Sequence, residues 1–147
     1  MEEKQELPMG LKIRRINSEI FRIFKKRIRK WVRVKLTIDE YGLLLSINRE
    51  ADDVIQKNMA EAMGKDQSAI LKLTDSLEKK ELVRRIPGTD DRRRNYLMIT
   101  KLGKKVLAQY LEVELDMIND IQREISEEEI EIFYKILDKI KNRAETL

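Results

Sequence analysis

Four residues in the middle of the chain have a spacing that restricts how this chain can fold. Gln56, Ala60, Gly64 and Ile70 occupy relative positions one, five, nine and fifteen of a single segment. A small residue at the fifth position lets two helices cross closely. Glycine at the ninth takes the turn, and a branched apolar residue at the fifteenth closes the core beneath them. The spacing predicts a helix-turn-helix, and a helical hairpin with a glycine cap is the alternative.

The two short helices of this corner have recognisable ends. Gly64 ends the first helix because glycine readily adopts the left-handed conformation. Asp66 has the side chain of an N-cap, so the second helix is predicted to run from Asp66 to Lys80. Apolar residues at helical spacing are expected to face inward. They are Ile55, Met59 and Met63 in the first helix, and Ile70, Leu73 and Leu77 in the second.

A β-hairpin is predicted directly after the corner. Residues 82–86 and 96–99 are short β-prone runs, and the segment between them combines turn-forming residues with an arginine triplet. Arg84 lies on the arm, next to Arg85. The tip carries Arg92, Arg93 and Arg94. Such a tip suits a narrow minor groove, which concentrates negative potential. A solvated turn, in which Asp90 and Asp91 pair with these arginines, is the alternative.

Long amphipathic helices flank this central region. Apolar residues at steps of three and four predict helices over residues 11–34, 38–50, 101–121 and 127–146. Thr37 with Glu40, and Ser126 with Glu129, have the spacing of capping boxes, and Thr100 is placed to cap a helix. The expected fold is mainly α with a small β-hairpin wing: a winged helix-turn-helix lobe over 36–100, flanked by dimerisation helices over 11–34 and 101–146. The whole of 1–147 is predicted to be one domain.

Composition restricts the chemistry of the chain. It has no Cys and no His, which excludes thiol nucleophiles, imidazole bases and Cys/His zinc sites. No enzymatic activity, metal or cofactor is therefore expected. The N-terminus has no apolar signal region and no apolar run approaches the length of a membrane span, so a cytoplasmic location without membrane association is expected.

Charge is segregated along the chain. The net charge is only +4, but residues 11–35 contain eleven Lys and Arg against one acid, whereas residues 112–131 contain nine acids against one base. This polarity suits a molecule that turns one face toward phosphate. A rival interpretation is a module that binds acidic or membrane surfaces through the basic first helix. An enzyme using Glu127, Glu128 and Glu129 is another, although the helix dipole explains acids in a first turn better.

The second helix of the corner would be the recognition helix. Its N-terminal end would enter the major groove, where short or polar side chains reach bases and phosphates. Those side chains are Gln67, Ser68, Ala69 and Lys72, with Gln67 the best candidate for an adenine edge. The alternative is that they only occupy the first turn. Double-stranded DNA with a pseudo-palindromic operator is the expected partner of a homodimer, with half-sites about 10 base pairs apart.

Several motifs follow one another in an order that identifies a family. They are Leu36-Thr37, Asn58-Met59-Ala60, Leu77-Glu78-Lys79-Lys80, Leu82-Val83-Arg84-Arg85, Asp91-Arg92-Arg93, Ile99-Thr100 with Gly103, and the run 125–129. The segment 36–107 resembles the MarR family of transcriptional regulators. The resemblance implies a homodimer formed by the first and last two helices, a wing arginine at Arg93, and regulation of transcription, with repression expected.

The same resemblance implies a small ligand, aromatic or anionic, bound between the dimer helices and the DNA-binding lobe. Candidate residues are Trp31, Tyr41 and Tyr110. Core packing is the alternative role for each of them. The chain departs from the family at Glu81, where glycine is common, so a left-handed residue there would be strained or the helix must end in another way. It also departs at Ile55, where a capping Ser or Thr is usual, which would leave the cap to Asp53 or to water.

Overall fold

A computed structural model describes residues 6–50, 54–89 and 95–147. Within these ranges the chain forms helices and a small sheet, with short connections between them. The elements are α1 (Met9–Trp31), α2 (Ile38–Arg49), β1 (Val54–Ile55), α3 (Gln56–Met63), α4 (Gln67–Lys79), β2 (Val83–Pro87), β3 (Asn95–Ile99), α5 (Lys101–Ile121) and α6 (Glu127–Ala144). The predicted mainly α fold with a β-hairpin is confirmed.

Local capping explains where the helices begin. Thr37 and Glu40 exchange side chain–backbone hydrogen bonds of 3.1 Å in both directions, which is the predicted capping box of α2. Ser126 and Glu129 form the same box at α6, with bonds of 3.2 and 3.1 Å. The Thr100 hydroxyl accepts a 2.9 Å bond from the Gly103 N–H at the start of α5. Each bond satisfies a backbone donor that the first helical turn leaves free.

The first helix ends at Trp31, three residues before the predicted end at residue 34. Val32 is already extended, with φ −121° and ψ 133°. The Lys35 ammonium donates hydrogen bonds of 3.2 Å to the carbonyls of Ile28 and Arg29, and a further one to the Val32 carbonyl. A cation at a helix C-terminus satisfies free carbonyls and opposes the helix dipole, so Lys35 stabilises this earlier end.

The sheet has one more strand than predicted. Its order is β1-β3-β2, with both pairs antiparallel. The prediction that Ile55 opens the apolar series of the first corner helix was wrong, because Ile55 lies in β1 and pairs with Tyr96 of β3. The helix α3 starts one residue later, at Gln56. The proposed cap at Asp53 and the hairpin tip over 90–94 lie outside the described residues.

The chain divides into two compact units, one reaching to Val113 and the other spanning Glu114–Leu147. The core of the first unit is made of apolar side chains from α2, α4, the sheet and α5. Its most buried members include Leu43, Leu44, Ile70, Leu77, Leu82, Val83 and Val106. In the second unit α6 has no buried residue, and several of its large apolar side chains are exposed: Ile132, Phe133, Tyr134 and Ile136.

Two positions, one just after α4 and one in the first turn of α5, restrict which residue fits there. Glu81 has φ +62°, a left-handed conformation that costs a residue with a Cβ about 1–2 kcal/mol. The strain anticipated at this position is therefore present. Gly103 is required for a different reason, since a Cβ there would lie 2.2 Å from the carbonyl oxygen of Leu82. Close contact between the start of α5 and the chain before β2 thus needs glycine.

Candidate nucleic-acid interface

The N-terminal end of α4 presents the predicted base-reading residues. The Asp66 carboxylate accepts a 2.7 Å hydrogen bond from the Ala69 N–H and so caps the helix as predicted. Gln67, Ser68 and Lys72 are exposed, while Ala69 is half-buried. Helical geometry places Ser68 and Lys72 on one face, four residues apart. The structure therefore brings three of these four residues to solvent at one helix end.

The opposite face of α4 is anchored in the core. Ile70 and Leu77 are buried against the first unit, as predicted, and Leu73 is half-buried. Thr74 is also fully buried, and its hydroxyl donates a 2.7 Å bond to the Ile70 carbonyl, which satisfies the polar group without water. A helix fixed on one side in this way can present the other side in a defined orientation.

Leu71 was missed by the sequence analysis. Its side chain is 44% exposed on α4, close to the first turn of the helix. The signal was available, because Leu71 does not belong to the inward series Ile70, Leu73 and Leu77. An exposed apolar side chain of this kind suits the methyl group of thymine when its helix lies in a major groove.

The hairpin supplies a second cationic element. Residues of β2 pair with β3 in the register Val83↔Ile99 through Pro87↔Asn95. Arg84 pairs across the sheet with Met98, and both side chains are exposed. Arg84 is thus available to a phosphate at the sheet surface. Arg92, Arg93 and Arg94 lie outside the described residues, so their assignment to a minor groove stays a prediction.

A buried polar network holds α2 to the end of α4. Glu40 is only 4% exposed, and its Oε2 accepts bonds of 2.8 Å from Lys80 Nζ and 2.9 Å from Ser76 Oγ. Lys80 Nζ also donates a 2.9 Å bond to the Lys35 carbonyl. Burial raises the pKa of Glu40, but hydrogen bonds from Lys80, the Thr37 backbone and Ser76 outweigh it, so the pKa lies below its usual value.

The three aromatic residues proposed for a ligand lie in different environments. Tyr41 and Tyr110 are buried and stacked, with ring centroids 5.3 Å apart, and Phe24 packs against both. Trp31 is 70% exposed at the last position of α1, with the Lys30 ammonium 5.3 Å from its ring centroid. The structure therefore brings Tyr41 and Tyr110 together and leaves Trp31 apart from them.

A cleft of about 220 Å³ opens beside Tyr110. Its apolar walls and cationic rim combine residues from α1, the following segment, α2 and α5: Phe24, Lys25, Ile28, Arg29, Lys35, Leu36, Ile38 and Tyr110. Of the three proposed ligand residues, Tyr110 lines the cleft. The remaining lining residues were missed, because Lys25, Arg29 and Lys35 were counted only as members of a basic segment.

Tyr110 also fixes the chain segment that borders this cleft. Its hydroxyl accepts a 2.7 Å bond from the Leu36 N–H and donates a 2.9 Å bond to the Val34 carbonyl. Burial raises the pKa of Tyr110; the Leu36 hydrogen bond lowers it and the nearby Glu40 charge raises it. The net pKa lies above the usual tyrosine value, so the neutral donor form is retained.

Two classes of site have no counterpart in the part of the chain that the structure describes. No described helix is long and apolar enough to cross a membrane. No group of three or more acidic residues within the described ranges could hold a metal ion.

Comparison with known proteins finds a family that part of this arrangement resembles. The family model described as MarR family matches residues 36–94. This segment contains α2, α3, α4 and β2 and extends to the predicted wing tip. Over this segment the chain is similar to the MarR family. The match includes α4 and Arg84.

Solved structures share the fold of this chain. MepR of S. aureus, in a DNA complex, is 22% identical with a TM-score of 0.82, covering 94% of this chain and 99% of that chain. CouR, a transcriptional repressor bound to a 23-mer DNA duplex, is 20% identical with a TM-score of 0.82, covering 91% and 92%. MarR of E. coli, in its apo form, is 20% identical with a TM-score of 0.73, covering 92% and 98%. At these identities the likeness concerns the fold.

Proposed function

We propose that this chain is a sequence-specific, double-stranded DNA-binding transcriptional regulator that acts as a homodimer and represses its target genes. The observation that carries the proposal is the exposed N-terminal end of α4, where Gln67, Ser68 and Lys72 reach solvent while Ile70 and Leu77 fix the helix in the core. A helix held in this manner fits a major groove. MepR and CouR, which share the fold and were both solved with DNA, support the same role.

The exposed apolar side chains support the homodimer. In the first unit, Met9, Leu11, Ile13 and Ile16 are exposed on α1; in the second, Ile132, Phe133 and Ile136 are exposed on α6. Exposed apolar surface of this extent marks a site of interaction with another molecule. We assign its cover to a second copy, and a dimer then presents two recognition helices to two half-sites of a pseudo-palindrome.

A non-catalytic role in the cytoplasm completes the proposal. The chain contains no Cys and no His to serve as nucleophile or base. Its carboxylates at the start of α6 are in the first helical turn, where they stabilise the helix dipole. A regulator of transcription needs access to chromosomal DNA, and this requirement supports a cytoplasmic location.

The test is a selection of bound sequences from a random duplex pool, followed by titration of the selected duplex and of a scrambled copy. The chain is expected to enrich a pseudo-palindrome and to bind it about a thousandfold or more tightly than the scrambled duplex. Lys72→Ala should weaken binding to both duplexes, whereas Lys139→Ala, which removes an exposed lysine from α6, should not. Failure to enrich any sequence would refute the proposal.

The cleft beside Tyr110 is the proposed site of a releasing ligand. Its apolar walls fit an aromatic ring, and Lys25, Arg29 and Lys35 at its edge fit an anion. CouR bound to p-coumaroyl-CoA and PcaV in complex with its natural ligand support ligand binding by proteins of this fold. We therefore propose a small aromatic anion as the ligand of this cleft.

The ligand proposal is tested with benzoate and its neutral analogue benzamide. Benzoate should raise the melting temperature and weaken operator binding, and Arg29→Gln should abolish both effects. Benzamide should have little effect because it lacks the charge. If benzoate changes neither the melting temperature nor the DNA affinity, the cleft is not a site for aromatic carboxylates.

A further inference from the structure

Two adjacent arginines of β2 lie in opposite environments. Arg84 is exposed at the sheet surface, across from the exposed side chain of Met98. Arg85 is half-buried, because successive side chains of a strand point to opposite faces. The sequence alone presents both as cations on the arm of a basic hairpin. Their surroundings show that they have different roles.

Arg85 is held by partners from two helices. Its guanidinium forms an ion pair of 2.6 Å with Asp75 and donates bonds of 2.8 Å to Glu78, also on α4, and to Gln56 at the start of α3. A longer bond of 3.3 Å reaches the Leu71 carbonyl. The Arg85 backbone N–H donates a further 3.1 Å bond to Glu78. One side chain thus joins β2, α3 and α4.

These interactions occupy the Arg85 guanidinium, so it does not bind phosphate. Two carboxylates already balance its charge, and a move to solvent would break an ion pair and three hydrogen bonds made by the side chain. Charge-assisted bonds of this length are the stronger kind, and a planar guanidinium satisfies several acceptors at fixed angles. One of these bonds is accepted by the backbone carbonyl of Leu71, whose exposed side chain is suited to a base edge.

We propose that Arg85 is a positioning residue that locks the recognition helix to the wing strand and to α3, so that base-reading and backbone-binding elements move as one body. The inference rests on the proposed function, since it concerns how that DNA interface is held. It assigns sequence discrimination to a residue that never touches DNA. Its neighbour Arg84 is assigned the opposite role of contacting phosphate directly.

Substitution by lysine separates the two roles. Lysine keeps the positive charge but cannot satisfy Asp75, Glu78 and Gln56 together, because its ammonium is a point charge on a flexible stem. R84K should therefore retain binding, since a phosphate contact needs only the charge. In R85K, α4 should no longer be held in its orientation relative to β2 and α3, although the net charge stays the same. The two variants form a matched pair at adjacent positions.

The experiment titrates wild type, R84Q, R84K, R85K and Q56M against the selected operator and a scrambled duplex at several salt concentrations. R84Q should weaken binding to both duplexes alike and reduce the salt slope by about 0.9 for each phosphate that is no longer neutralised. R84K should restore both. R85K should reduce the operator-to-scrambled affinity ratio by about three- to thirty-fold and leave the scrambled affinity unchanged.

Q56M provides the second test of the same interaction. It removes the acceptor for Arg85 Nε without changing charge, and it remains informative if R85K proves unstable. It should lower the ratio in the same direction, and the R85K/Q56M double variant should lose no more than R85K alone, because both remove one interaction. Circular dichroism and melting curves establish that each variant is folded.

The outcomes distinguish this proposal from the function on which it rests. If wild type does not discriminate operator from scrambled duplex, the proposed function fails. If wild type discriminates and a folded R85K keeps the wild-type ratio, the positioning role is overturned. An equal loss on both duplexes, with R84K behaving like R85K, would instead make Arg85 an ordinary phosphate contact.

Discussion

The lobe spanning residues 36–100 and the helix α6 differ in how far their apolar side chains are buried. In the lobe, Leu43, Leu44 and Leu77 are completely buried, and the buried carboxylate of Glu40 has three hydrogen-bond donors. In α6 no residue is buried, and Phe133 is 54% exposed. The lobe thus buries a core within one chain. The second region presents apolar surface that we propose a second copy covers, so that folding and assembly would depend on different residues.

The largest expected effect on stability comes from removing side-chain volume from the core of the lobe. Leu77→Ala should reduce the free energy of unfolding by about 2–5 kcal/mol, because it deletes buried methyl groups and leaves a cavity. Leu71→Ala, on the exposed face of the same helix, should change it by about 0.5 kcal/mol or less. Urea denaturation measures both. Equal effects of the two substitutions would contradict the assigned faces of α4.

A charge in α6 should affect assembly rather than folding of the chain. Phe133→Asp is expected to weaken the dimer by about 2 kcal/mol or more, since an aromatic residue that becomes buried at an interface is a typical hot spot. Asn142→Asp, an exposed change on the same helix, should leave the mass unaltered. Light scattering at micromolar concentration gives the result. A Phe133→Asp variant that remains fully dimeric would exclude α6 from the interface.

Substitutions at two positions with the same left-handed φ should have smaller effects on stability, and the two effects should be opposite in sign. Glu81 and Gly64 both have φ +62°. Glu81→Gly should stabilise the lobe by about 1 kcal/mol by relieving the left-handed strain, whereas Gly64→Ala should destabilise it by a similar amount. Thermal unfolding of the two variants tests the pair. Destabilisation by Glu81→Gly would show that its side chain contributes more than its backbone costs.

The smallest expected effect concerns pH. Because the folded pKa of Glu40 lies below its usual value of 4.5, its contribution to stability is present above pH 4.5. That contribution is lost as pH falls through the lower folded pKa. Wild type should therefore lose stability more steeply than Glu40→Gln below pH 4.5. Melting temperatures of both proteins, followed from neutral pH down through this range, measure the difference, and parallel curves would argue against a depressed pKa.

The elements that sequence predicts well are those determined by neighbouring residues. The capping boxes at Thr37 and Ser126, the cap at Asp66 and the glycine that ends α3 each depend on side chains within three residues of a helix end. Periodicity then gives the buried face of α4. These features need no knowledge of the rest of the fold.

The features that sequence missed depend on contacts between distant segments. The strand β1 has only two residues and exists through pairing with β3, about forty residues later in the chain. The partners of Arg85 come from α3 and α4, so nothing in its local sequence distinguishes it from Arg84. Trp31 continues the apolar spacing of α1, yet it lies at the helix end, where it is exposed.

The most direct test of the central claim compares Gln67→Ala and Arg93→Ala with wild type on operator and scrambled duplexes at several salt concentrations. Gln67→Ala should cost about 1–3 kcal/mol on operator and much less on scrambled DNA, with an unchanged salt slope. Arg93→Ala should weaken binding to both and reduce the slope by about 0.9 for each phosphate that is no longer neutralised. If Gln67→Ala weakens both duplexes equally, or neither, α4 does not read bases and the account of this interface is wrong.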